Sequence, residues 1–148
     1  MTKARTPQSR PEGEPFWLTI ELILAIHEEQ LFEHGGSSGV RDRGLLESAL
    51  ARPLNVFHFE NAQIQYLAAI YASGIMRNHP FVDGNKRTGF MAMYTFLGAN
   101  GYQLTATEPE AVAATMELAA GELSDDQFAA WVADHSEMIT SPVPPSES

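Results

Sequence analysis

The chain has 148 residues, 44% of them hydrophobic, with no cysteine and a net charge of −10. That length supports one compact core and not two ordinary domains. The missing cysteines exclude disulfides, thiolate zinc sites and cysteine nucleophiles, and the acidity argues against a broad nucleic-acid-binding surface.

Residues 1–15 carry Pro7, Pro11 and Pro15 among scattered charges and have no apolar run resembling a secretory signal. No later stretch reaches the roughly 18 uninterrupted apolar residues of a membrane span. The expectation is a cytoplasmic domain over 18–138, with disordered tails at 1–17 and 139–148.

Helix signals dominate in between, which predicts an all-α fold of about six helices around a buried central one. Thr19 caps a first helix to about His34, with Leu22, Ile23, Ile26 and Leu31 facing inward, and Gly35-Gly36 stops it. Asp42 caps a short second helix bearing Leu45, Leu46, Ala49 and Leu50. Pro53 ends it, and Leu54 to Glu60 reads as a small β-hairpin or flap.

Asn61 opens a third helix, in which Ile64, Leu67, Ala68, Tyr71 and Ile75 recur at helical spacing up to Asn78. A fourth, from about Gly84 to Asn100, is apolar nearly all round and is expected to be the central one. Thr107-x-x-Glu110 and Ser124-x-x-Gln127 match the capping box, giving a fifth helix to near Gly121 and a sixth to about Glu137.

The chemistry gathers between the third and fourth helices. Pro80 disfavours helical backbone at the residue before it, so His79 is expected in an extended loop, where its imidazole can accept a proton near neutral pH. The fourth helix then offers its first free N–H groups near Gly84 to Arg87, an anion site. No Lys or Arg follows Lys86 and Arg87 in the sequence, and a local cationic spot on an acidic protein suits one small anion such as a nucleotide phosphate. In that reading His79 is the base and Asp83 offers hard oxygen to Mg²⁺. Gly84 lets phosphate approach the backbone, while Asn85, Lys86 and Arg87 hold phosphate oxygens. Asp83 has a second reading, as a plain helix cap. His27, His34, His58 and His135 show no metal-ligand spacing, and the Asn85-Lys86 order does not fit a P-loop.

The string His79-Pro80-Phe81-Val82-Asp83-Gly84-Asn85-Lys86-Arg87-Thr88 resembles the Fic-family signature His-x-Phe-x-Asp/Glu-Gly-Asn-Gly-Arg-x-x-Arg in its death-on-curing (Doc) form. Leu24-Ala-Ile-His-Glu28, Gly35-Gly36 and Phe96-Leu-Gly-Ala-Asn-Gly-Tyr102 are also similar to Doc segments. Lys86 stands where most Fic enzymes have Gly, and Phe90 where they have the second Arg that orients ATP for AMP transfer. Doc-like proteins share both departures. The resemblance implies a toxin that moves the γ-phosphate of ATP to a protein threonine, with elongation factor Tu as the target class and growth arrest as the outcome. Fic-type AMP transfer and a catalytically silent, partner-binding protein are the alternatives. The Ser/Thr-x-x-x-Glu-Gly/Asn motif of self-inhibited Fic proteins does not occur, since Gln8 precedes Glu12-Gly13 at the required position, so an antitoxin protein is expected in trans.

Overall fold

The computed structural model describes residues 13–140. Of the expected tails at 1–17 and 139–148, residues 1–12 and 141–148 lie outside the described residues. Six helices follow in order: α1 (Ile20–His34), α2 (Arg43–Glu60), α3 (Ile64–Asn78), α4 (Asn85–Ala99), α5 (Glu108–Ala119) and α6 (Asp125–Asp134). Strands β1 (Tyr102–Leu104) and β2 (Ser136–Met138) pair antiparallel, with Gln103 opposite Glu137. Among the described residues, no helix is long and apolar enough to cross a membrane.

The central helix is α3, not α4. All ten residues from Leu67 to Met76 are buried, whereas Tyr94 of α4 is exposed. Ala68, Ala69, Ala72, Ser73 and Gly74 keep α3 thin, so neighbours close on every side without leaving voids. The approach of α4 is especially tight at Gly89, where a Cβ would lie 2.9 Å from Met76 Cγ and 3.1 Å from the Ala72 carbonyl oxygen.

Local capping set most boundaries. Thr19 and Asp42 cap α1 and α2, and both capping boxes are formed at α5 and α6. On α1, Ile23 and Ile26 are buried as expected, but Leu22 is exposed and the buried stripe continues through His27 and Gln30. The sixth helix stops at Asp134 rather than near Glu137, because residues 136–138 pair with β1.

The expected hairpin over 54–60 is helix instead, since α2 runs through Pro53. A proline inside a helix removes one backbone hydrogen bond and costs about 3 kcal/mol. Burial of Pro53 and packing of Val56 and Phe57 against the core offset that cost, Phe57 meeting Trp17 edge-on at 5.6 Å. Asn61, expected to open α3, closes α2 in the left-handed conformation, its N–H donating to the Phe57 carbonyl. Trp17 also stacks on Phe96, so the packed unit begins before residue 18.

Asp125, at the start of α6, ties α2 and α3 together. It accepts from Arg52 at 2.6 Å, pairs with Arg77 at 3.3 Å and takes the Ser73 hydroxyl. Burial alone would raise its pKa, but the Ser73 and Arg52 hydrogen bonds and the two guanidinium charges outweigh it and hold the carboxyl below its ordinary value. A depressed folded-state pKa stabilises above the unfolded value and loses that contribution as pH falls through the folded one. Asp125→Asn should therefore lower Tm near neutral pH, with the gap to wild type closing below the ordinary aspartate range. A gap independent of pH would show that the charge is not what matters.

Candidate active site

His79 ends α3 as its C-cap, at φ 55° and ψ 52°. The backbone is left-handed rather than extended as Pro80 led us to expect, a conformation uncommon outside glycine and costly to hold. Hydrogen bonds from outside the loop hold it. Arg41 Nε donates to the His79 carbonyl at 2.8 Å, and Arg41 Nη2 to that of Asn78 at 3.0 Å. A guanidinium at the carbonyl end of a helix is also well placed against its dipole. Residues 37–42 run alongside the loop. The N–H groups of Arg41 and Asp42 donate to the Pro80 carbonyl, and Val82 N–H donates back to Gly39.

Beneath the loop, Phe81 is fully buried and stacks on His27, ring centroids 3.7 Å apart. His27 Nε2 donates to the Asp83 carbonyl at 2.8 Å. Asn85, 3% exposed, works from the other side. Its Oδ1 accepts from Phe81 N–H at 3.0 Å, and its Nδ2 lies 2.9 Å from the Phe81 carbonyl and 3.1 Å from His79 Nδ1. The Asn85 amide, expected on phosphate, is thus committed to the loop.

Gly84 is the N-cap of α4 at φ 81°, and no side chain caps the helix. The plain capping reading of Asp83 therefore fails. Its Oδ2 accepts instead from Ser37 N–H at 2.9 Å. Lys86 and Arg87 are exposed, and no salt bridge to either is found among the described residues. His79, Asp83, Gly84, Asn85, Lys86 and Arg87 all line one cleft of about 860 Å³, between the start of α4 and the face of α5. Phe90 follows on the same wall, and Tyr94, Val112 and Met116 give the far end an exposed apolar lining.

Among the described residues no group of three or more His, Asp or Glu side chains is arranged to hold a metal. Asp83 does suit the sparser demand of Mg²⁺, which takes one or two carboxylates and completes its shell with phosphate and water. Its carboxylate lines the cleft and no hydrogen bond to Oδ1 is found among the described residues.

The family model described as "Fic/DOC family" matches residues 17–97, more than half of the chain and all of the loop. The chain belongs to the Fic/DOC family. It is 46% identical over 74 residues to "Toxin Doc" of Mycolicibacterium smegmatis, an alignment spanning 49% of this chain and 57% of that protein. It is 32% identical over 105 residues to "Protein kinase doc" of Escherichia phage P1, spanning 70% of this chain and 82% of that one. A structure of the BepC protein of Bartonella tribocorum, solved with bound AMPPNP, has a TM-score of 0.46 at 19% identity, over 93% of this chain and 59% of that one.

Within this Fic/DOC site, the sequence reading did not find Arg41 and His27. His27 carried a readable signal, lying on the same helical stripe as Ile23 and Ile26. Arg41 carried none, because its partners stand 37 and 38 residues away.

Proposed function

We propose that this chain is a Doc-like toxin that transfers the γ-phosphate of ATP to a hydroxyl of a protein, elongation factor Tu being the target class that the family resemblance implies. The supporting observation is the shared wall of the cleft. A histidine on an exposed loop, a carboxylate, two cations and an uncapped helix start all face one space. The relative named "Protein kinase doc" agrees with this reading.

In the mechanism, the open N–H groups of the first turn of α4, with Lys86 and Arg87, hold phosphate oxygens and neutralise charge that grows during transfer. Asp83 would hold Mg²⁺, which when bound draws phosphate charge onto itself. The acceptor oxygen bonds to the γ-phosphorus as the bond to the β-bridging oxygen breaks and ADP leaves, and His79 takes the hydroxyl proton. Asn85 contributes its backbone N–H, since its side chain is engaged in the loop. The exposed apolar end of the cleft at Tyr94, Val112 and Met116 suits an amphipathic segment of an antitoxin supplied in trans.

Orientation of the nucleotide is the point to test. Lys86 fills the space that Gly leaves in AMP-transferring relatives, and Phe90, one turn beyond Arg87, brings no second positive charge. Incubation with Mg²⁺ and cell extract, using ATP labelled at the α- or the γ-phosphate, should move label to protein from the γ position only, and Lys86→Ala should lose it. Transfer from the α position would make this an AMP transferase, and transfer from neither would support a silent binding protein.

A further inference from the structure

The Asn85 amide has one orientation. Its Oδ1 meets the Phe81 N–H and its Nδ2 the Phe81 carbonyl, and turning it over would set N–H against N–H and oxygen against oxygen. The second hydrogen on Nδ2 is then left for His79 Nδ1, 3.1 Å away. A ring nitrogen facing a donor must present its lone pair. In a neutral imidazole the proton then sits on the other nitrogen.

We propose that Asn85 is a positioning residue that holds neutral His79 as its Nε2–H tautomer, so that the ring becomes a base only when this contact opens. The inference rests on the reading of His79 as the base. A proton leaving a hydroxyl needs a free lone pair, and in this tautomer the one lone pair of the ring is occupied by Asn85. The free ring nitrogen presents N–H instead, suited to donating to an acceptor oxygen or a phosphate oxygen. Base action follows once the ring turns from Asn85 and frees its Nδ1 lone pair, or once the turned ring passes its proton from Nε2 to Nδ1 through water. Asn85 is held on both sides of its amide, whereas His79 is exposed and, among the described residues, makes this one side-chain hydrogen bond, so the histidine is the part free to move.

The tautomer can be read without any activity. In the full chain labelled with ¹⁵N-histidine, at a pH where the ring is neutral, long-range ¹H–¹⁵N correlations distinguish Nε2–H from Nδ1–H, and His79→Gly identifies the signal. A single Nε2–H pattern is expected in wild type, turning to a solvent-like average of both tautomers in Asn85→Ala. An Nδ1–H pattern or an averaged signal in wild type would overturn the proposal, and so would an unchanged pattern in a folded Asn85→Ala. Should that variant not fold, the wild-type spectrum decides alone. Loss of the base reading itself would appear elsewhere, as label transfer that survives removal of His79.

Discussion

Replacing His79 by Ala or by Gly should remove γ-label transfer and growth arrest together. A positioned general base supplies about 10²- to 10⁴-fold of rate. The loss should therefore reach at least that range in any assay sensitive enough to follow it. The two variants divide chemistry from backbone strain. His79 sits at φ 55°, where Ala is strained and Gly is not. His and Ala carry the same left-handed strain and Gly does not, so the Gly protein should be about 1 kcal/mol more stable than the Ala protein. Both should be equally inactive. Transfer retained in the Gly protein, with helical content unchanged, would show that the imidazole is not the base.

The largest effect on stability is expected at Phe81. Its ring is fully buried, stacked on His27 and continuous with the core. Truncation to Ala should cost about 3–5 kcal/mol, as for other buried phenylalanines. It should also free the Asn85 contacts that depend on the Phe81 backbone. Phe81→Leu retains most of the volume and should recover most of the stability while leaving the His27 stack broken. Urea melts of the three proteins measure this. A Phe81→Ala midpoint close to wild type would mean that the loop is not anchored through this ring.

Much of this fold could be read locally because its boundaries are local chemistry. Thr107 with Glu110, and Ser124 with Gln127, form reciprocal caps that four consecutive residues specify. Pro53 failed as a stop because a single-residue rule competed with tertiary burial of Val56 and Phe57, and burial won. Choosing α4 over α3 as the centre followed from counting apolar residues. Residue size was the better signal, since the small residues of α3 admit neighbours all round while α4 bears Phe90, Met91 and Tyr94. The members of the site were readable from their order in the chain, and their division of labour was not. Asn85 reads as a phosphate ligand beside Lys86, yet the hydrogen bonds at Phe81 claim its amide.

Arg41 and residues 37–42 come before α2 and α3 in the chain, and still they fix the backbone at His79, Pro80 and Val82. The ten residues from His79 to Thr88 are therefore not a portable module. Grafted between two helices of an unrelated scaffold, they would keep every functional group and lose the outside carbonyl clamp that makes the left-handed turn at His79 tolerable. A match to those ten letters in another chain then carries catalytic meaning only where an upstream segment returns to the same turn, and for engineering the smallest transplantable unit reaches from α1 to the end of α4.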